Sequence, residues 1–168
     1  MTAHGTHLPY RIGVIADTHG DLPDGVEAAF DGVDAIVHAG DAGSGLALDV
    51  LGTIAPVIAV CGNCDVGVEA ELPIAANVVL GGVRIVVAHR DRDLAGSLDP
   101  VRAGARVAIV GHSHVSGVGE RDGVLWVNPG SPVLPRGGQP PSVAVLTVEA
   151  DGSVDAHIVT LGSGAGPS

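Results

Sequence analysis

The sequence predicts an α/β fold whose last third is built mainly of antiparallel strands. Three observations carry that reading. Short apolar runs alternate with helix-like segments over the first hundred residues. Five of the apolar runs are followed within a few positions by Asp, Asn or His. From residue 77 onward, Gly-Gly and Asp-Gly dipeptides separate paired strand patterns.

The elements follow in order. Residues 11–16 read as a strand, 22–30 as a short helix, 34–39 as a second strand and 44–52 as a second helix. Residues 56–60 form a third strand pattern and 61–76 are irregular. Residues 77–80 and 83–88 form a hairpin around Gly81-Gly82. A short helix is expected near 92–103, then a strand at 106–110. Strands at 115–120 and 123–127 flank Asp122-Gly123, and strands at 142–149 and 154–160 flank Asp151-Gly152. The Pro/Gly-rich stretch 128–141 is the longest connection, and long loops in compact domains are often functional. No repeat or linker divides the chain, so residues 1–168 are read as one domain with a core of about 11–160 and a flexible tail at 161–168.

Composition narrows the function. The chain has a net charge of −11 and no basic stripe, which excludes duplex nucleic acid as a partner. Its mean hydropathy of +0.41 is that of a globular chain. No apolar run approaches the roughly 18 residues a membrane span needs. Residues 1–9 lack the basic and apolar regions of a secretory signal, so a cytoplasmic location is expected. All eight basic residues are arginine. Walker A, Schiff-base and kinase-type lysines are therefore absent, and chemistry must run on carboxylates, imidazoles, a thiol or metals.

Seven potential metal ligands stand at the strand ends: Asp17, His19, Asp41, Asn63, His89, His112 and His114. Each alone is weak; Asp41 could cap a helix, and His89 could be an ordinary loop histidine. Together they describe one polar site, because ligands of open α/β sheets bind beyond the carboxyl ends of the strands. Mixed carboxylate and imidazole donors suit Mn, Fe or Zn, and two such ions can share a bridging carboxylate.

The order Asp17-Thr18-His19, Gly40-Asp41, Gly62-Asn63, His89, Gly111-His112-Ser113-His114 resembles the calcineurin-like metallophosphoesterases over roughly residues 11–160. The variant Gly62-Asn63-Cys64-Asp65, with Asn128-Pro129-Gly130-Ser131-Pro132 and Pro135-Arg136 downstream, is similar to the small prokaryotic phosphodiesterase branch. The resemblance implies a four-layer α/β/β/α sandwich of two mixed sheets. It implies two divalent ions, Mn first with Fe, Zn or Ni open. Asp17, His19 and His114 would hold one ion, Asn63, His89 and His112 the other, and Asp41 would bridge them. It implies hydrolysis of a small phosphodiester by a two-metal-activated hydroxide, with Asp41, Asn63 and His112 as catalytic candidates. Branch relatives suggest a homodimer or homotetramer, to which the apolar loop 129–135 could contribute.

Two departures stand out. Larger members carry a leaving-group histidine where this chain has Cys64, a weaker match as a proton donor. Arg90 replaces the usual Gly after His89. Asn63, Cys64 and Arg90 are candidate substrate contacts, although Arg90 pairing with Asp91 or Asp93 at the surface is favoured. Cys61-Gly62-Asn63-Cys64 also fits a redox pair, but no helix N-terminus follows it, and Cys61 reads as a core thiol. His38 reads as structural, and His4, His7 and His157 as surface residues. A protein-binding scaffold on the same fold and a phosphomonoesterase remain the alternatives.

Overall fold

The computed structural model describes residues 7–65 and 71–162. Ten strands and two α-helices run in the order β1 (Tyr10–Ile15), α1 (Gly25–Ala29), β2 (Ala35–His38), α2 (Gly45–Gly52), β3 (Val57–Ala59), β4 (Ala75–Leu80), β5 (Val83–Ala88), β6 (Val107–Ile109), β7 (Gly117–Arg121), β8 (Val124–Asn128), β9 (Ser142–Val148) and β10 (Val154–Thr160). They form two five-stranded sheets, ordered β10-β9-β1-β2-β3 and β4-β5-β6-β8-β7. Both are mixed. β1, β2 and β3 are parallel, as are β5, β6 and β8, while β9, β10, β4 and β7 pair antiparallel.

The β1 sequence explains why it lies at the centre. Ile12, Val14 and Ala16 alternate onto the face that meets the second sheet, packing with Ile85, Val87, Val107 and Ile109. The intervening positions are equally apolar because the opposite face is also covered. There Ile15 packs with Val26 and Phe30 of the α1 segment and Leu51 of α2. Gly13 lacks a Cβ for a physical reason, since one would sit 2.8 Å from the Phe30 ring. The structure is thus an α/β sandwich with helices over the first sheet.

The outer cover of the second sheet departs from expectation. Residues 92–103 form no α-helix, only single 3-10 turns at Asp91–Asp93 and Gly96–Leu98. Gly96 has φ +61°, and Asp99 is extended ahead of Pro100, which disfavours helical backbone in the residue before it. Leu94 and Ala105 still close that face against Val86, Ala88 and Ala108. The first helix is also shorter than 22–30, starting only after Pro23. The expected flexible tail beyond 162, His4 and part of the irregular stretch 61–76 lie outside the described residues. Among the described residues, no helix is long and apolar enough to cross a membrane.

This topology positions the site. The parallel strands β1, β2 and β3 of one sheet and β5 and β6 of the other end at one edge, where all seven candidate ligands follow.

Candidate metal centre

The ligand-bearing turns are tight. Among the described residues six non-glycine positions have positive φ. Five are Asp17, His19, Asp41, His112 and His114, with φ between 47° and 73°, and the sixth is Asp122 in a hairpin turn. Backbone strain of this kind persists where the surroundings over-determine it, and it clusters at functional sites. The turns are tied together by backbone bonds. Asp17 N–H donates to Gly40 C=O at 3.0 Å, His19 N–H to Asp41 C=O at 3.0 Å, and Gly111 N–H to His89 C=O at 3.0 Å. The two sheets are joined by His112 N–H donating to Asp17 Oδ2 at 3.0 Å.

The glycines before Asp41 and Asn63 follow from this crowding. A Cβ on Gly40 would stand 2.7 Å from His89 Nδ1. A Cβ on Gly62 would collide with the Asp41 carboxylate and backbone nitrogen. Gly-Asp and Gly-Asn are therefore packing requirements of adjacent turns.

Asp17, His19 and His114 present donor atoms within 4.8 Å of one another, as do Asp17, Asp41 and His89, and His19, Asp41 and Cys64. Asp41 Oδ2 lies 3.2 Å from His89 Nε2 and 4.0 Å from His19 Nε2, so it stands between the two groups. His112 Nδ1 meets Asn63 Oδ1 at 3.0 Å, and its ring lies edge-on to His89 with centroids 5.1 Å apart. The structure thus brings all seven residues to one edge.

The donor chemistry fits a cation. His89 Nδ1–H donates to Ala39 C=O at 2.8 Å, which in the neutral ring leaves Nε2 as a lone pair. That lone pair faces Asp41 Oδ2 at 3.2 Å and Asp17 Oδ1 at 3.8 Å. His114 repeats the pattern: Nδ1–H donates to Leu134 C=O at 2.7 Å, and Nε2 faces Asp17 Oδ1 at 3.3 Å. Asp17 Oδ1 and His89 Nε2 are buried without a hydrogen-bond partner. Acceptors converging in this way need a positive charge between them. Carbonyls fixing the remote ring nitrogen are the usual way a protein orients imidazole ligands.

Protonation follows the same logic. Burial pushes the Asp17 carboxyl up to about 7, with Asp41 adding to the shift against the opposing pull of His89 and the His112 N–H. Burial would also raise Asp41, but the facing His89 ring in its protonated form and the Cys64 N–H outweigh it and hold Asp41 at about 2. Burial opposes charge on His89, yet Asp41, the Ala39 carbonyl and Asp17 raise it above its ordinary value. His112 is lowered by burial, His89 and Arg90, and His114 by burial and Arg136 despite its carbonyl bond. Both are neutral near pH 7, as metal ligation requires.

His38 is not a ligand. It is fully buried, and its Nδ1 accepts from Gly40 N–H at 3.2 Å. Its Nε2–H therefore donates to Thr18 Oγ1 at 3.0 Å, which donates on to Ala42 C=O at 2.9 Å. This relay ties the Asp17 turn to the Asp41 turn. Burial lowers its pKa to about 4, against 6.5 unfolded. Because the folded value is the lower one, its contribution is intact above pH 6.5 and is lost as pH falls through 4. Relative to His38→Gln, the wild type should lose about 3 kcal/mol between pH 7 and pH 4. Urea unfolding in chelator at both pH values checks this; parallel profiles would refute it.

Three residues with no role assigned from the sequence support the site. Asp65 accepts from Asp41 N–H (3.1 Å), Gly43 N–H (3.1 Å) and Gly62 N–H (2.8 Å). Ser131 Oγ–H donates to Asp17 C=O at 2.8 Å and accepts from Leu134 N–H. Arg136 is exposed yet close enough to act on Asp17, His112 and His114. The only sequence signal for Asp65, Ser131 and Arg136 was their place in the motif variant.

In the loop 129–135, Pro129 to Pro132 are buried, with Ser131 anchored beneath Asp17, and Leu134 is exposed. One expectation is corrected. Cys61 is a half-buried thiol outside the core, bonded to its neighbour's carbonyl; Cys64 is exposed at the site, and both cysteines are free. Arg90 pairs with Asp93 at 3.3 Å, as favoured. His7 and His157 are exposed.

Known proteins resemble this chain in sequence and in fold. A probable metallophosphoesterase of Methanothermobacter thermautotrophicus is 36% identical over 162 residues, spanning 90% of this chain and 93% of the relative. A solved archaeal phosphodiesterase superposes with a TM-score of 0.71 at 22% identity, over 89% of this chain and 99% of the other. Vacuolar Protein Sorting 29 from Cryptosporidium parvum gives 0.70 at 22% identity, over 89% and 96%. These two structures share the fold. The family profile described as the calcineurin-like phosphoesterase superfamily domain matches residues 10–151, and the chain belongs to that metal-binding hydrolase family.

Proposed function

We propose that the protein is a phosphodiesterase using two divalent ions, manganese first among them, to hydrolyse a small phosphodiester. The observation that carries this reading is the convergence of two buried imidazole nitrogens, His89 Nε2 and His114 Nε2, on the Asp17 and Asp41 carboxylates, with Asp41 between both groups and with His89 Nε2 and Asp17 Oδ1 left without a hydrogen-bond partner. Asp17, His19 and His114 would hold one ion, and Asn63, His89 and His112 the other, with Asp41 shared. Bound there, the ions would supply a nucleophilic hydroxide at neutral pH and neutralise charge on the phosphoryl oxygens.

The chain's own residues orient that chemistry. Ala39 and Leu134 carbonyls fix the ring faces of His89 and His114. Asp65 and His38 hold the Asp17, Asp41 and Gly62 turns in register. Asn63, beside His112 and exposed, is placed to donate to a phosphoryl oxygen. The Cys64 thiol, although exposed, is raised by partial desolvation and by the nearby Asp41 carboxylate, so it stays protonated but is a weak proton donor to a leaving group. Diesters with good leaving groups should therefore be cleaved best.

The test is hydrolysis of a chromogenic aryl phosphodiester beside its monoester, with chelator-stripped protein and manganese added back. Metal-dependent diester cleavage that collapses in Asp41→Asn is expected, with a rate that falls steeply as leaving-group pKa rises. A flat dependence would remove the weak-acid role of Cys64. No turnover by folded protein with any divalent metal would favour a protein-binding scaffold. The shared fold of Vacuolar Protein Sorting 29 motivates that second reading. A clear preference for the monoester would make the protein a phosphomonoesterase.

A further inference from the structure

Beside His112 lies a cleft of about 210 Å³ lined by Arg90, Asp91, His112, Ser113, Arg121 and Asn128. It runs into a shallower trough over β7 and β8, which shares Arg121 and Asn128 and adds Trp126. The chain carries a net charge of −11 and only eight cationic side chains, yet two of them converge on this one cleft. Arg90 is braced by Asp93 at 3.3 Å. Arg121 stacks on Trp126, its guanidinium carbon 4.0 Å from the ring centroid. Among the described residues, no salt bridge or hydrogen bond engages that guanidinium. Stacking holds the fork in place while its N–H edges remain available, a geometry suited to bidentate binding of phosphate. Asp91 on the rim opposes anions, so the cleft depends on both arginines acting together.

We propose that this cleft is a second anion subsite, taking a phosphate group that the substrate carries in addition to its scissile ester. The preferred substrate class is then a diester with a separate phosphate, as in a nucleotide bearing a further phosphoryl group, its flat portion lying in the trough beside Trp126. The substrate assignment rests on the phosphodiesterase reading; the anion site itself does not.

Trp126 is the only tryptophan, so its fluorescence reports the cleft without catalysis. Metal-free protein titrated with inorganic pyrophosphate at constant ionic strength should show a saturable change. Affinity should fall about tenfold in Arg121→Gln and in Arg90→Gln. The Arg90 variant leaves the arginine–tryptophan stack in place, so its result does not depend on an altered signal. With manganese, the p-nitrophenyl ester of thymidine 5′-phosphate is compared with the same ester carrying a 3′-phosphate. The wild type should show a KM about tenfold lower for the second, and both variants should lose that preference. No saturable change in the wild type, or wild-type affinity in both variants, overturns the subsite. Equal KM for the two esters overturns the substrate class. Saturable binding without hydrolysis of either ester supports the subsite and overturns the phosphodiesterase reading.

Discussion

Asp17→Asn is expected to make the metal-free protein more stable while abolishing its activity. Asp17 is fully buried, and its carboxyl is held up at about 7 against an unfolded value of 3.8, chiefly by burial. Because the folded value is the higher one, stability is intact below pH 3.8 and is lost as pH rises through 7. Above that, the metal-free protein carries a cost of about 4 kcal/mol from this one group. Asparagine removes the charge and keeps the useful bonds. Its oxygen can accept from His112 N–H, now on Asp17 Oδ2, and its amide can donate to the His114 Nε2 lone pair that faces Oδ1 at 3.3 Å. The same change removes the charge that would hold a cation, so turnover should drop on the order of 10³-fold. Urea unfolding in chelator at pH 8 should show a gain of about 2–4 kcal/mol. The manganese-induced rise in melting temperature seen with wild type should disappear. A variant less stable than wild type in chelator would sink the view that this buried carboxylate is retained for a cation.

Asp65→Ala should have the opposite sign on stability. Asp65 touches no candidate ligand side chain, but it caps the backbone N–H groups of Asp41, Gly43 and Gly62. Removing it leaves three donors without a partner in a buried corner, at a cost of about 3 kcal/mol after allowing for water entry. The turns carrying Asp41 and Asn63 lose their common anchor, so manganese affinity should fall about 10–100-fold, the usual effect of deleting a ligand-orienting partner. Asp65→Asn keeps one carbonyl acceptor and should recover part of both losses. Denaturation in chelator and manganese titration check the two effects separately. Wild-type stability and affinity in Asp65→Ala would remove its positioning role.

The strands and the positions of the candidate ligands at their ends were legible because both are written locally. An apolar run ending in Gly and a polar residue needs only a few adjacent positions to be recognised. β9 and β10 around Asp151-Gly152, and β7 and β8 around Asp122-Gly123, likewise followed from turn chemistry at one site. The helix at 92–103 was misread because its apolar spacing is genuine. What cancels it is Gly96 at positive φ and the extended residue before Pro100, and the apolar Leu94 and Ala105 are buried without any helix.

Histidine roles show where local reading stops. His38 and His89 both sit at strand ends beside an Asp-bearing turn. His38 accepts at Nδ1 from Gly40, so its remaining N–H is spent on Thr18. His89 donates from Nδ1 to Ala39, fifty residues away in sequence, so its other nitrogen is left to face the two carboxylates. Which ring is a strut and which a candidate ligand depends on that distant partner. The same holds for Arg121, which no motif marks and which only the fold sets in one cleft with His112.

By itself, then, the sequence determined which side chains could hold metal, their order, and the strands that deliver them, because each follows from short-range periodicity and turn chemistry. Only the tertiary structure decided which nitrogen faces which carboxylate, that Asp65 and Ser131 brace the turns, and that two arginines meet at one cleft. Those are contacts between segments far apart in the chain, set by how two sheets pack face to face.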